Sequence, residues 1–185
     1  HNRNALHVAA NYNENANVVK ELTKICDVTS IDNFGNNALF FAVDSNKDKN
    51  GEIFSVLVDA GVPIGIKNIH GSTVLTRAAE KNAKLPVFLK LIEAGVNVND
   101  VTTEYQHNAL HYMHSINDVA IVKALLAAKI NVNHASKSKE TALTQALKYG
   151  KSIEMISLLL DAGADVNFKG NYENTPLHEA ADKAD

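Results

Sequence analysis

Asn174-Thr175-Pro176-Leu177-His178-Glu179-Ala180-Ala181, close to the C-terminus, reads as a turn running into a helix start. Thr175 is a capping residue type, and Pro176 falls at the first helical position, where its missing N–H costs nothing. Leu177, Ala180 and Ala181 follow at helical spacing and give a narrow apolar face. Diluted copies of the stretch recur along the chain. With its leucine as phase marker they fall at Leu6, Leu39, Leu75, Leu110, Leu143 and Leu177, with spacings of 33, 36, 35, 33 and 34 residues. Each copy opens on Asn or Thr and continues in small or apolar residues, as in Asn4-Ala5-Leu6-His7-Val8-Ala9-Ala10 and Thr73-Val74-Leu75-Thr76-Arg77-Ala78-Ala79.

Further markers keep the same phase. Seven residues after each leucine stands a residue that tolerates a left-handed backbone: Asn13, Asn46, Asn82, Asn117 and Gly150. This predicts a short first helix ending in a tight turn. A second amphipathic run follows in each unit, at Val18-Val19 with Leu22, then at 53–58, 87–92, 119–126 and 153–160. Three of these runs end in Ala-Gly (Ala60-Gly61, Ala94-Gly95, Ala162-Gly163), and the fourth has Ala128-Lys129. Alternating linkers such as Val96-Asn97-Val98-Asn99 read as extended segments leading to turns such as Asp32-Asn33-Phe34-Gly35. Two helices of this size cannot bury both apolar faces alone, whereas stacked copies can. The expectation is one domain of units at roughly 1–32, 33–67, 68–102, 103–136, 137–170 and a partial 171–185.

Composition narrows the function classes. A net charge of −3 over 185 residues gives no global basic field, so no nucleic-acid partner is expected. No apolar run approaches the ~18 residues needed to cross a bilayer, so no membrane insertion is expected. Cys26 is the only cysteine. An intrachain disulfide is therefore impossible, which favours a reducing compartment and a cytoplasmic setting.

In these features the chain resembles the ankyrin repeat family. Residues 174–181 match that family's Thr-Pro-Leu-His-x-Ala-Ala core, and Leu159-Leu160-Asp161-Ala162-Gly163-Ala164-Asp165-Val166-Asn167 matches the end of its second helix. The resemblance covers nearly the whole chain. It implies an all-α solenoid of helix-turn-helix units with extended finger loops, in which the Leu-His histidines (His7, His111, His178) stabilise finger and helix. It also implies that finger asparagines such as Asn99, Asn133 and Asn167 either fix their loops by hydrogen bonding or serve as hydroxylation sites. Three segments depart from the pattern. Residues 44–51 lengthen an inter-helix turn, residues 100–107 lengthen a finger that lacks its glycine, and the finger 135–140 lacks it too. Such places tolerate insertion and tend to carry binding residues. The chain begins in mid-finger and stops in the first helix of a sixth unit, so a segment of a longer protein is expected.

Candidate chemistry is sparse. His107, His111 and His114 have helical spacing for a metal, but His111 occupies the Leu-His position and His107 precedes the cap, so neither metal nor cofactor is expected. Cys26 falls at the end of a second helix, where the dipole disfavours a thiolate, and reads as structural. Lys137, Lys139, Lys148 and Lys151 form a local basic cluster, read as a solvated face or a site for an anionic partner. There is no phosphate-cradling loop, and no catalytic residue is expected. The resemblance implies that the residue between Leu-His and Ala-Ala faces a concave groove. Here that position holds Val8, Phe41, Arg77, Tyr112, Gln145 and Glu179, and the finger tips add Phe34, His70, Tyr105, Lys137 and Tyr172. Aromatics and Arg are the types enriched at binding hot spots. One expectation is a monomeric module that binds a protein partner through this strip. The alternative for Phe41 and Tyr112 is packing against a neighbouring finger. A different class of function is a targeting or substrate-presenting segment of a larger enzyme, effector or channel whose activity lies elsewhere.

Overall fold

The computed structural model describes residues 2–45, 47–48 and 50–182. These form ten α-helices and two 3-10 turns with no strand among them, only an isolated bridge between Lys67 and Thr73. The helices stack in two layers. First helices α1 (Ala5–Tyr12), α3 (Ala38–Asp44), α5 (Val74–Glu80), α8 (Ala142–Lys148) and α10 (Pro176–Ala181), with the 3-10 turn Ala109–Tyr112 between α5 and α8, make one layer. Second helices α2 (Ala16–Thr23), α4 (Glu52–Asp59), α6 (Leu85–Glu93), α7 (Val119–Ala127) and α9 (Ile153–Asp161) make the other. No described helix is long and apolar enough to cross a membrane.

The first helices are short because their starts and stops are chemically marked. Asn4, Asn37, Thr73, Asn108 and Thr141 each accept a backbone N–H of the first turn through a side-chain oxygen. The residue three on reaches back. The amide of Asn4 donates to His7 Nδ1, and that of Asn108 to His111 Nδ1, both at 3.2 Å. Thr76 and Thr144 receive the corresponding amides on their hydroxyls at 2.9 and 2.8 Å. These reciprocal caps satisfy two helix-end donors at once, which explains the recurrent Asn/Thr-x-x-His/Thr pattern. Leu6, Leu39, Leu75, Leu110 and Leu143 are buried between the layers, while Leu177, with no second helix after it among the described residues, stays 76% exposed.

The left-handed stop is only partly as the spacing suggests. Asn82 and Gly150 have φ of +50° and +59°. Asn13 is extended (φ −84°), because its side chain instead receives the amide of Asn15 at 2.7 Å and leads into α2. Asn117 is not left-handed either; its side-chain oxygen accepts from Lys151 Nζ at 2.7 Å. Asn46 lies outside the described residues. The fourth first helix is also shorter than its copies. Where α5 has Ala78-Ala79, this unit has Met113-His114, and buried Met113 and Ile116 fill the space after a single 3-10 turn.

The fingers are built on side-chain-braced corners. Asp32 Oδ1 accepts from Phe34 and Asn36, and Asn68 Oδ1 accepts from His70 and Ser72. Gly35 and Gly71 take the left-handed corner there (φ +74° and +72°). In the two fingers without glycine, Gln106 and Lys139 adopt the same conformation (φ +57° and +52°). Neighbouring tips are joined by Ile69 N–H to Phe34 C=O and Lys137 N–H to Tyr105 C=O, both at 2.9 Å. Asn99 donates to Lys129 C=O and accepts from the Asn131 amide. Asn133 repeats the pattern one unit on, with Gly163 and Asp165. Both asparagines thus lock loop to loop. The lengthened turn 44–51 supplies Asp48, whose carboxylate accepts from the Ile53 and Phe54 amides and caps α4 in place of Gly51, which has no side chain.

Candidate protein-binding face

The column that the spacing places on the outer side of the first helices splits into two kinds of position. Val8 is exposed, and Arg77, Tyr112 and Glu179 are half-buried. Phe41 and Gln145, by contrast, are buried at 7% and 5% exposure, so the exposure expected of them is not found. Phe41 is held edge-on by His7, with ring centroids 5.3 Å apart, and the Arg3 guanidinium covers its ring at 4.4 Å. Arg3 in turn lies 3.6 Å from the buried Asp32 carboxylate of the next finger. Phe41 therefore packs against its neighbours, the alternative left open for it by the sequence.

Arg77 is also committed within the molecule. Its Nε and Nη2 donate to the two oxygens of Asp44 at 2.7 and 2.8 Å, and its Nη1 meets Glu80 at 3.1 Å. This bidentate bond to Asp44 is the main cause of its raised pKa. It ties α5 to α3, since Asp44 closes the preceding first helix. Such forked pairs are geometrically specific. Tyr112 stands beside this clamp, its pKa pushed up to about 12 by burial first and then by Glu80.

Tyr112 opens a series of rings. His107 meets it edge-on at 5.6 Å and itself lies 5.6 Å from Tyr105. Tyr112 and His114 are 5.9 Å apart, and His114 and Tyr149 5.5 Å. His107 and His111 stack face to face at 5.1 Å with 9° between planes, so the metal-like spacing is used for ring packing. The Nε2 of His111 donates to Glu140 C=O at 3.0 Å, linking helix to the next finger. Burial holds the His111 pKa down to about 4, and neighbouring His107 adds to the shift. His107 is lowered as well, chiefly by burial.

The finger-tip residues are where the sequence puts them in exposure. Phe34, His70, Tyr105 and Lys137 are exposed, and Tyr172 is 96% exposed. The sequence reading missed Tyr12, at 67% exposure, with Lys81 and Tyr149, which are also exposed on the first-helix layer. They stand four residues after Val8, Arg77 and Gln145, one helical turn further along the same face, and that spacing would have found them. Near the C-terminal end a cleft of about 120 Å³ opens between the last two fingers, lined by Lys139, Glu140, Lys148, Asn171, Tyr172 and Glu179.

The profile of a family described as ankyrin repeats, in three copies, matches residues 110–185. The nuclear factor NF-kappa-B p105 subunit of Gallus gallus is 31% identical over 135 residues, which is 72% of this chain and 14% of that relative's length. An ankyrin repeat domain from Acinetobacter baumannii AYE superimposes with a TM-score of 0.83 at 27% identity, over 96% of this chain and 90% of its own. The complex of the predatory endopeptidase Bd0816 of Bdellovibrio bacteriovorus with the immunity protein Bd3460 contains a chain similar at a TM-score of 0.81 and 27% identity. That match covers 98% of this chain and 93% of that one.

Proposed function

We propose that this chain, which belongs to the ankyrin repeat family, binds a protein partner across the face made by its first helices and finger tips and carries out no reaction of its own. The repeats of this family are protein-interaction modules. The observation that carries the finer reading is the recurrence of exposed large side chains on one layer: Val8, Tyr12, Lys81 and Tyr149, with half-buried Tyr112 and Glu179 between them. Both layers carry intramolecular ion pairs, Arg77–Asp44 and Lys81–Glu80 on the first and Lys24–Glu21, Lys90–Asp59 and Lys123–Glu154 on the second, but among the described residues the second helices expose no aromatic ring. Rigid aromatic anchors lose little conformational entropy when they bind. Phe41 and Arg77 serve this face from beneath, by fixing the helices that present it. In a cytoplasmic setting, suggested by the single Cys26, such a module recruits its partner without disulfide constraints.

A second reading, that the segment targets or presents a substrate to an activity elsewhere in a larger protein, is motivated by the small share of the chicken relative that it spans. The test is capture by the immobilised chain. A triple variant Tyr12→Ser, Lys81→Ala, Tyr149→Ser is expected to lose its protein partner with its helical circular-dichroism spectrum intact. A variant Lys24→Ala, Lys123→Ala on the second-helix layer is expected to retain it. The opposite pattern overturns the proposal.

A further inference from the structure

Charge is unevenly distributed along this chain. Residues 103–151 hold six lysines and three carboxylates, a formal +3 in a chain of net charge −3, together with four of its eight histidines. Of the three carboxylates only Glu140 is paired with one of these lysines, Lys148. Asp118 caps α7 through the Ala120 amide at 2.9 Å, and Glu140 pairs with Lys148 at 2.9 Å. Lys151 is half-buried, and its ammonium donates to the neutral Asn117 amide oxygen at 2.7 Å. Lys137 and Lys139 stand exposed at a finger tip, and neither forms an ion pair among the described residues.

The rings run through the same place. The series Tyr105, His107, Tyr112, His114, Tyr149 leads from that finger tip across the first-helix layer to the inter-helix turn that holds Lys151, in steps of 5.5 to 5.9 Å. Lys148 leans over Tyr149 at 6.0 Å and lines the cleft beside Lys139. Four such steps match about six residues of extended chain. This is also where the fold departs most from its own repeat. A lengthened finger without glycine brings out Tyr105, and the 3-10 turn in place of a helix brings out His114. Departures from local sequence rules concentrate at functional sites.

We propose that the fourth and fifth repeats dock an extended acidic peptide segment of a protein partner. Its carboxylates meet Lys137, Lys139 and Lys151, and its apolar side chains lie on the rings of Tyr112, His114 and Tyr149. Charge complementarity decides the sign of the partner, and the ring track decides its extended form. This names the partner's chemistry for the first-helix face and rests on that reading.

Fluorescence anisotropy of the whole chain tests it with three labelled probes. One is a peptide of about twelve residues alternating Asp or Glu with Phe or Leu, the second has Lys in place of each acid, and the third is a single-stranded oligothymidine of similar length. The acidic peptide is expected to bind about tenfold or more tighter than the basic one, and to weaken as salt rises from about 50 to about 300 mM. Lys137→Gln with Lys139→Gln is expected to weaken it about tenfold, and Lys24→Gln on the opposite layer to leave it unchanged. Equal binding of the two peptides, no binding of the acidic one, tighter binding of the oligonucleotide, or no effect of the double substitution in a chain with an unchanged helical spectrum would each overturn the proposal. Those outcomes leave the first-helix face intact as a binding surface, because the capture experiment with the Tyr12, Lys81 and Tyr149 variant reads that face independently of the partner's charge.

Discussion

Lys129 adopts φ +67° at the end of α7, where Gly61, Gly95 and Gly163 end the corresponding helices at +80° to +84°. A Cβ in that conformation is strained by roughly 1 kcal/mol, and glycine relieves it. Lys129→Gly is expected to raise stability by about 0.5–1 kcal/mol in thermal melts. Gly71 is the opposite case. Its φ is +72°, and a Cβ there would run into Thr103 of the next finger, so Gly71→Ala is expected to cost about 2–4 kcal/mol. His111 makes stability depend on pH. Its pKa is held at about 4, against an ordinary value of 6.5, because burial favours the neutral ring. The fold therefore keeps its full contribution above pH 6.5 and loses it progressively as pH falls toward 4. The loss from this residue is about 3 kcal/mol. In denaturant titrations across that window, His111→Gln is expected to flatten the acid slope by a similar amount while lowering stability at neutral pH. The identity of these residues as scaffold was legible from the repeat, since glycine and histidine recur in phase. The conformation of Lys129 was legible only as a missing glycine.

At the scale of elements, α3 shows where pattern and packing part company. Its place in the column gives Phe41 the same register as Val8 and Tyr112, but register says nothing of what a neighbouring finger contributes. Here the first finger brings Arg3, and α1 brings His7, over the ring. Phe41→Ala is thus expected to act on stability, by about 3–5 kcal/mol in chemical denaturation, as for a large core side chain. The lengthened turn 44–51 is a similar lesson. Its position suggested a binding insertion, but its Asp48 caps α4, and Asp48→Ala is expected to cost about 1 kcal/mol. Cross-unit partners of this kind, including Arg77 with Asp44, are about one repeat apart in sequence and carry no local signature. The caps were legible because both partners lie within four residues. The shortened first helix of the fourth unit was half-legible, as Met113-His114 in place of two alanines.

Among the described residues, four helix pairs, the 3-10 turn with α7, and the last first helix, α10, are held by one leucine register, one capping scheme and a ladder of finger bonds. Each unit touches its neighbours, so a core that runs the length of the stack fixes a continuous surface. The two layers differ in what they expose among the described residues: aromatic rings and the finger lysines Lys137 and Lys139 on one side, aliphatic side chains such as Leu89 and Ile153 with paired charges on the other. The central claim is that the first-helix layer is the side that binds. Hydrogen–deuterium exchange of the chain with and without its captured partner reads both layers at once. The account predicts slowed exchange in the finger tips and in the first helices around Tyr12, Lys81 and Tyr149, with α2, α4, α6, α7 and α9 unchanged. Protection confined to those second helices would contradict it.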